Sequence, residues 1–277
     1  MPFFKKKLTI GLALGSGGAK GAAHLGALAA MREDNIDFDV FAGASIGSLI
    51  GALCAKGYDE KDMLAVLGEM WQSKAYSLLS ALDGGLVGII RSVIGGADFS
   101  DLKRPYAAVA TDVISGKETV FFKGDLSVAI AASCAMPPTF KPVKMGDKEL
   151  IDGAFLNYVP ADRCVELGAN VVISINLNRS NKTNESGKKI IDEAFPGNAV
   201  PLKDRSEACY KYSSVVLEPD LLGYSGFSVN KIDEIYAIGY AEAKKKMPEL
   251  LSAINGKARF SKKDAEKIRK DGAIRII

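Results

Sequence analysis

Ser45 stands between Gly43 and Gly47, each two residues away, with Ala44 and Ile46 beside it. This G-x-S-x-G pattern is typical of a nucleophile elbow, in which a serine on a sharp turn attacks a carbonyl carbon. Only three residues of the pattern are fixed, and the chain has 28 glycines, so an accidental match is a real alternative. The pattern predicts a nucleophile only if partner residues are found elsewhere.

The segments on either side of the serine suit an elbow. Residues 39–44 read as a short buried strand, and residues 48–56 read as a helix that Gly57 ends. A strand, a tight turn and a helix are what the elbow requires. The small flanking residues have a physical role, because a strand and a helix that approach closely leave no room for side chains.

A base for the serine is missing from the usual place. The only histidine, His24, precedes Ser45, whereas the common order is serine, carboxylate, histidine. His24 lies early in a predicted helix without an orienting carboxylate, so we expect it to be buried or to face a cap.

A carboxylate is the other candidate base. Asp152 ends an apolar strand and enters a turn with Gly153 and Ala154. An aspartate within about 3 Å of the serine hydroxyl could accept its proton. The common alternative is that Asp-Gly marks a plain turn.

A glycine-rich loop joins the first predicted strand to a helix. Its sequence fails the Rossmann spacing, which requires glycine at position 20, and the P-loop spacing, which requires glycine immediately before the lysine. Glycines at a helix start leave backbone N–H groups unshielded, so an oxyanion hole and a tight packing turn both remain open. The loop residues are Gly15, Ser16, Gly17, Gly18, Ala19, Lys20 and Gly21.

Predicted strands and helices alternate along the chain. The strands cover 7–14, 39–45, 107–112, 117–122, 171–177 and 215–217, with hairpins turning at 115–116 and 146–147. This alternation predicts an α/β fold with a mostly parallel central sheet and helices on both faces. We expect one domain over 1–277, with its core at 7–177, completing segments at 178–277 and a mobile polar loop at 178–187. Ligands of such sheets bind beyond the carboxyl ends of the strands.

The composition excludes several classes of protein. Apolar residues make up 48% and charged residues 25% of the 277 residues, which is ordinary for a globular protein, and the net charge is only +3. No motif supports nucleic-acid binding. The basic segments at 5–7 and 257–275 read as solvated surface, with attraction to an anionic membrane surface as the alternative. The four cysteines form no C-x-x-C pair, so no metal site is expected.

Location is predicted from two apolar stretches. Residues 5–14 resemble a signal peptide, but they also fit a buried first strand, which we favour because cleavage would discard the glycine loop. Residues 40–55 are too short and too rich in glycine and serine for a membrane span. We therefore predict a cytoplasmic protein with possible peripheral membrane contact.

The motifs, taken in order, resemble the patatin-like phospholipases, above all their short bacterial members. Besides the glycine loop and the serine motif, they are Thr111-Asp112, the run Ala-Ser-Cys-Ala-Met-Pro-Pro at 132–138, and Asp152-Gly153-Ala154. The resemblance covers about 7–177. It implies an α/β sandwich with a Ser–Asp dyad, a lipid or fatty-acyl ester substrate, and hydrolysis through an acyl-serine intermediate without metal or cofactor.

The resemblance also assigns roles to residues of this chain. Ser45 matches the nucleophile and Asp152 the aspartate that accepts its proton, while Gly17, Gly18 and Ala19 match the oxyanion loop. The chain departs from the family pattern at three positions. Ser16 replaces a glycine, Lys20 an arginine, and Ala154 the second glycine of Asp-Gly-Gly.

Residues 76–94 are apolar but interrupted by glycines at 84, 85 and 88. Two interpretations stay open, a packed pair of helices and a mobile lid or acyl-chain groove that meets lipid. Two alternatives to the hydrolase also stay open. One is a weakly active or inactive module that binds a membrane or partner. The other is a conventional triad esterase, which the absence of a later histidine disfavours.

Overall fold

The structure is a computed structural model that describes residues 8–72, 85–179, 185–197, 200–201 and 204–277. In these residues, nine strands form one sheet in which β5-β6-β3-β2-β1-β7-β8 are neighbours in that order. The strands are β1 Ile10–Leu14, β2 Val40–Ala44, β3 Tyr106–Asp112, β4 Lys117–Phe121, β5 Val143–Met145, β6 Lys148–Asp152, β7 Val171–Ile175, β8 Val215–Leu217 and β9 Ile274–Ile276. Strands β1, β2, β3, β7 and β8 run parallel, and β3 pairs antiparallel with β4 and β6.

The described helices cover both faces of this sheet. They are α1 Ala22–Glu33, α2 Ile46–Lys56, α3 Glu60–Gln72, α4 Gly85–Ile94, α5 Leu126–Cys134, α6 Ala161–Glu166, α7 Glu185–Ala194, α8 Glu207–Tyr212, α9 Ile232–Asn255 and α10 Lys262–Ile268. The predicted α/β architecture, with a central sheet flanked by helices, is confirmed.

Alternating residues of the central strands supply two separate cores. Leu12 and Leu14 of β1 pack with α1 and α2 on one face, whereas Ala13 packs with α6 on the other. Consecutive residues 11–14 of β1 are all buried, although they face opposite sides of the sheet. A continuous apolar run of this kind is expected where helices cover both faces. The central strands are therefore fixed on both sides, which makes their carboxyl ends a rigid platform.

β2 and β6 share one edge of β3. The register pairs Ala44 of β2 with Val109, and Asp152 of β6 with Ala110, the next residue of β3. β4 pairs with β3 over residues 108–112, so it occupies the opposite edge. Two strands that run toward each other therefore end at adjacent positions, and the residue after Ala44 is Ser45.

α1 follows the glycine loop and is held by α9. A Cβ at Gly26 would lie 2.0 Å from the carbonyl oxygen of Tyr236, and a Cβ at Gly239 would lie 2.0 Å from that of Ala23. The two helix backbones are thus in direct contact, which requires glycine at both positions. This contact fixes the helix whose first turn begins at the glycine loop.

Some predicted segments differ in the structure. Residues 76–84 lie outside the described residues, while α4 buries Leu86, Ile89, Ile90 and Ile94 in the core. The described half of the segment 76–94 is therefore packed helix. In the predicted loop 178–187, residues 180–184 are also outside the described residues, and residues 185–187 belong to α7.

The basic segment 257–275 was predicted to be solvated surface, but part of it is buried in the structure. Arg275 bonds Glu166 at 2.6 Å, and Glu166 in turn accepts from Arg163, which is 1% exposed. Arg163 also pairs with Glu118 and Asp271. Carboxylates surround the buried guanidinium, so its charge is compensated and its pKa stays well above the usual range.

Among the described helices, none is long and apolar enough to span a membrane.

Candidate active site

Ser45 lies on the turn between β2 and α2 with a φ of 53° and a ψ of −128°. This left-handed φ is unusual for a residue with a side chain and indicates local strain. A Cβ at Gly43 would lie 2.2 Å from the carbonyl oxygen of Gly47, and a Cβ at Gly47 would lie 2.2 Å from that of Leu14. Backbone crowding therefore explains both glycines of the G-x-S-x-G pattern.

Two serines hold the turn in place. The backbone N–H of Ser45 donates to Oγ of Ser133 at 2.9 Å, and the hydroxyl of Ser48 donates to the Ser45 carbonyl at 2.7 Å. Ser133 is fully buried on α5. Sequence reasoning missed its contact, although Ser133 lies in the Ala-Ser-Cys-Ala-Met motif and is one of two serines in a mostly apolar helix.

Asp152 ends β6 and is fully buried. Its Oδ1 accepts the N–H of Ala154 at 2.9 Å, which fixes the carboxyl group at the start of a short 3₁₀ turn. A Cβ at Gly153 would lie 2.3 Å from the carbonyl oxygen of Val109, so the turn packs directly on β3. The other oxygen, Oδ2, is buried and makes no hydrogen bond of ordinary geometry to any described residue.

Burial raises the pKa of Asp152 to about 6. The hydroxyl of Ser45 opposes this rise most strongly, followed by the N–H of Ala154 and the charge of Arg205. The Ser45 hydroxyl therefore lies close enough to influence the Asp152 carboxyl group, although Oδ2 has no hydrogen bond of ordinary geometry to a described residue. Catalytic hydrogen bonds are often long or poorly aligned before a substrate binds.

Arg205 is a second residue that sequence reasoning missed. Its guanidinium donates to the Ala154 carbonyl at 3.2 Å and lies 5.3 Å from the centre of the Tyr158 ring. The Arg205 carbonyl accepts the N–H of Tyr158 at 2.9 Å. Arg205 therefore supports the turn that carries Asp152. Nothing in its local sequence indicates this role, because its partners lie about fifty residues earlier.

The glycine loop folds into a 3₁₀ turn at Gly18–Gly21 before α1 begins. Gly18 has a φ of 57°, which glycine adopts without strain. No described residue accepts a hydrogen bond from the N–H of Gly17 or of Gly18. The N–H of Ala19 donates to the carbonyl of Gly226 at 2.8 Å. Two of the three predicted oxyanion donors thus have no acceptor within the described part of the chain, and the third donates to Gly226.

His24 supports this loop from beneath. It is fully buried, and its Nε2 donates to the carbonyl of Gly15 at 2.8 Å. Burial lowers its pKa to about 4, against the opposing hydrogen bond to Gly15, so the ring is neutral near pH 7. The expectation of a buried, cap-facing histidine agrees with this position.

Lys20 is mostly buried at the same loop. Its ammonium group bonds to the side-chain oxygen of Asn178. Burial lowers its pKa to about 8, so the group is largely charged at neutral pH.

A cavity of about 570 Å³ joins these residues. Of the residues singled out in the sequence, it is lined by Ser16, Gly17, Gly18, Ala19, Lys20, Ser45, Asp152 and Ala154. The supporting glycines Gly15, Gly21, Gly43, Gly47 and Gly153 lie outside it and act through the backbone. Much of the remaining wall is apolar, with Leu49, Met70, Leu86, Ile90 and Phe140 among its residues.

Within the described ranges, no three histidine, cysteine, aspartate or glutamate side chains form a cluster that fits a metal ion. The carboxylate that lines the cavity is that of Asp152. The four cysteines are free thiols, and burial raises their pKa values. The chemistry of the cavity therefore centres on a hydroxyl, a carboxylate, backbone N–H groups and nearby cations.

Comparison with known sequences finds a family. Residues 12–165 match the model of the family described as patatin-like phospholipase. An uncharacterized NTE family protein of Mycobacterium tuberculosis is 33% identical over 182 residues, which cover 62% of this chain and 49% of that protein. Patatin-like phospholipase domain-containing protein 6 of Mus musculus is 29% identical over 280 residues, 85% of this chain and 20% of that protein. The chain thus spans about half the length, or less, of these curated relatives.

Comparison with solved structures supports the fold. Human GIVD cytosolic phospholipase A2 superposes with a TM-score of 0.54 at 9% identity, over 95% of this chain and 61% of that one. VipD from Legionella pneumophila superposes with a TM-score of 0.51 at 13% identity, over 89% of this chain and 67% of that one. At these identities the similarity concerns the architecture alone.

Proposed function

Because the chain belongs to the patatin-like phospholipase family, we propose that it is a serine acyl hydrolase that cleaves carboxylic ester bonds of lipids. One observation carries this proposal. The buried Oδ2 of Asp152 has no ordinary hydrogen-bond partner among the described residues, while the hydroxyl of Ser45 acts on the same carboxylate inside a largely apolar cavity. An unsatisfied buried acceptor beside a strained serine is the arrangement that a general base and its nucleophile require.

The reaction begins with acylation of Ser45. Asp152 accepts the hydroxyl proton while Oγ forms a bond to the ester carbonyl carbon, and the carbonyl π electrons move onto the oxygen. A pKa of about 6 suits this role, because the carboxylate is mostly ionised at neutral pH yet more basic than an ordinary aspartate.

The oxyanion that forms lies against the glycine loop. The N–H groups of Gly17 and Gly18 have no described acceptor and can donate to it. One such donor contributes about 3 kcal/mol to stabilisation of the transition state. The N–H of Ala19 becomes a third donor only if it releases Gly226.

Collapse of the oxyanion breaks the ester C–O bond. The leaving alcohol takes the proton from Asp152, and the acyl group remains on Ser45. A water molecule then gives a proton to Asp152 as it attacks the acyl carbon. As the bond from the acyl carbon to Oγ breaks, Asp152 returns that proton to Oγ, which releases the fatty acid and restores the serine and the carboxylate. No step requires a metal or an organic cofactor.

The walls of the cavity support a fatty-acyl substrate. Leu49, Leu86 and Ile90 line it on the side of α2 and α4, and Phe140 adds an aromatic surface. Burying apolar chain carbons against such walls is favourable by about 0.8 kcal/mol per methylene group. Lys20 and Arg205 line the same cavity, so an anionic or polar head group fits beside the ester.

One observation favours the alternative, a module on the same fold with little turnover. The bond from Ala19 to Gly226 withdraws one predicted oxyanion donor, as in a closed site. The two functions differ in whether Ser45 reacts.

The decisive experiment uses a fluorophosphonate probe and p-nitrophenyl esters of medium chain length. The wild type is expected to be labelled at Ser45, and the S45A variant to remain unlabelled. Asp152→Asn is expected to lower ester turnover by about 10²-fold or more while the protein stays folded.

Asp112→Asn is the matched control. Asp112 is also a buried carboxylate at a strand end, but it bonds Ser115 in the β3–β4 turn, so its variant should keep most of the turnover. Full activity of Asp152→Asn would show that the dyad is wrong. A folded wild type that neither labels nor hydrolyses esters would support the module instead.

A further inference from the structure

Residues 221–229, here called the strap, cross the mouth of the candidate site between β8 and α9. Gly226, Phe227 and Val229 line the cavity that contains Ser45. Leu221, Leu222 and other residues at the start of the strap line a second cavity of about 1010 Å³. Lys20 and Asn178 line both cavities. The strap therefore lies beside the glycine loop and separates the two spaces.

The strap contacts the glycine loop through backbone atoms. Its Gly226 carbonyl accepts the N–H of Ala19 at 2.8 Å, and a Cβ at Gly18 would lie 2.6 Å from the same oxygen. Ser225 and Ser228 form hydrogen bonds within the strap itself. The Ala19–Gly226 bond is thus the hydrogen bond by which the described strap reaches the proposed oxyanion loop.

Large apolar side chains of the strap point into solvent. Phe227 is 81% exposed, Leu222 is 75% exposed and Val229 is 46% exposed. They are among the few exposed large hydrophobic residues in the described part of the chain, and all three lie within eight residues. Exposed apolar groups concentrated at the entrance of a site mark a contact surface.

Movement of the strap would uncover more apolar surface. Leu221 is only 5% exposed in this state, and Leu177, which lines the second cavity together with the start of the strap, is 2% exposed. Water disfavours exposure of these side chains, whereas a lipid surface can accept them. A lipid surface therefore binds a conformation with the strap lifted away from the glycine loop better than it binds the closed conformation seen here. This difference in affinity would shift the equilibrium between the two conformations toward the lifted one.

We propose that the strap is the surface by which this chain contacts lipid, and that insertion of Leu222 and Phe227 lifts Gly226 and frees the N–H of Ala19. The proposal deepens the proposed function, because it names the event that completes the oxyanion donors of that site. Gly226 blocks a donor until the chain meets a surface that carries its substrate.

The position and charge of the strap support a lipid surface as the partner. The strap is continuous with the mouth of the apolar cavity that would receive the acyl chain. The second cavity beside it carries charges of both signs, among them Arg179 and Asp220. We therefore expect apolar insertion to dominate, so neutral and anionic vesicles should bind with similar affinity.

The first test is sedimentation with vesicles of phosphatidylcholine, alone or mixed with phosphatidylglycerol. Exchanging both Leu222 and Phe227 for serine is expected to weaken binding by about tenfold or more. Both side chains are exposed, so the fold is expected to persist. Ile277→Ser is the matched control, because Ile277 is 70% exposed and follows β9, at the other end of the sheet. Equal vesicle binding by the double variant and the wild type would overturn the proposal.

The second test is hydrogen–deuterium exchange at the Ala19 amide. Addition of vesicles is expected to speed its exchange in the wild type and to leave it unchanged in the double variant. Unchanged exchange in vesicle-bound wild type would also overturn the proposal, because Gly226 would then remain in place.

Soluble-ester turnover separates this proposal from the proposed function. Leu222→Ser alone should hydrolyse a monomeric p-nitrophenyl ester within about twofold of the wild type, since Leu222 lies outside the cavity of Ser45. A wild type that hydrolyses no ester, but whose vesicle binding and Ala19 amide exchange depend on the strap, would contradict only the proposed hydrolase function. Normal ester turnover, together with vesicle binding that is the same in the wild type and the double variant, would contradict only the proposal for the strap.

Discussion

The backbone N–H of Ser45 donates to the hydroxyl oxygen of Ser133 at 2.9 Å, across 88 residues of sequence. Ser45 has a left-handed backbone, which costs on the order of 1–3 kcal/mol for a residue with a side chain. The strained turn persists because the surroundings hold it. The hydrogen bond to Ser133 links the turn to α5, so the position of Ser45, the proposed nucleophile, depends on a helix outside its own motif.

Ser133→Ala should therefore loosen the turn. Loss of the hydroxyl leaves the N–H of Ser45 without its acceptor, and we expect the free energy of unfolding to fall by about 1–3 kcal/mol. Soluble-ester turnover should fall as well, because the proposed nucleophile Ser45 is then less well oriented. Urea unfolding and p-nitrophenyl ester kinetics measure the two effects.

Ser127→Ala is the control for this change. Ser127 lies on the same helix and is equally buried, but its hydroxyl has no hydrogen-bond partner among the described residues. Its removal should be nearly neutral for stability and turnover. If both variants behave like the wild type, Ser133 does not support the turn.

The pH dependence of turnover should report the carboxyl group of Asp152. Its pKa is raised to about 6, and the base must be ionised to accept a proton, so kcat/KM should rise with pH through about 6. The charge of Arg205 lowers this pKa. Arg205→Met should therefore raise the pKa and move the acid limb of the profile to higher pH.

Two variants control for the structural role of Arg205. Arg205→Lys keeps the positive charge and should restore most of the acid limb. Arg259→Met removes another arginine that stacks on an aromatic ring, at 5.3 Å from Phe260, and should leave the limb unmoved. An acid limb that stays in place in Arg205→Met would contradict the electrostatic role.

Acid stability should depend on His24. Burial lowers its folded pKa to about 4 from an ordinary value of 6.5, so its contribution to stability is present above 6.5 and is lost as pH falls toward 4. The loss corresponds to about 3 kcal/mol. His24→Gln has no charge to gain and should lack this loss.

The measurement requires a background without the opposing titration of Asp152. The raised pKa of Asp152 gives stability that is full below 3.8 and is lost as pH rises through about 6. Urea unfolding of Asp152→Asn should thus be compared with the double variant His24→Gln and Asp152→Asn at pH 4 and pH 7. Parallel changes in the two proteins would rule out His24 as the source of the acid dependence.

The glycines of the serine motif should tolerate no side chain. Gly43→Ala would place a Cβ 2.2 Å from the Gly47 carbonyl oxygen, and backbone atoms on both sides cannot move apart without breaking the elbow. We expect a cost of about 3 kcal/mol or more and loss of turnover. Gly88→Ala, in the exposed part of α4 with no atom within 4 Å, should instead stabilise the protein by up to about 1 kcal/mol. Thermal unfolding midpoints distinguish the two, and a neutral Gly43→Ala would contradict the crowding argument.

Most of the fold was predictable, because its signals are local. The buried runs that became β1, β2 and β7 and the hairpins β3–β4 and β5–β6 are read from apolar runs and turn residues. The same holds for the turn at Ser45, whose glycines and flanking segments lie within a few residues.

The supporting contacts of the site were not predictable in this way. Ser133 and Arg205 act through pairings across tens of residues, and no local pattern encodes them. The exposed apolar side chains were not predictable from hydrophobicity alone either. Leu86, Ile89, Ile90 and Ile94 of α4 pack inward, whereas Phe227 and Leu222, in a segment interrupted by glycines and serines, are exposed. Periodicity identifies apolar side chains, but tertiary packing decides which of them water reaches.

The shared edge of β3 makes the distance between Ser45 and Asp152 a property of strand register. Residues advance by about 3.3 Å along a strand and alternate between its faces. A slip of β6 by one residue along β3 would shift Asp152 by about 3.3 Å and turn its carboxyl group to the opposite side of the sheet. Only the register that pairs Asp152 with Ala110 therefore places the carboxyl group on the side of Ser45, and no intermediate register of β6 would do so partially.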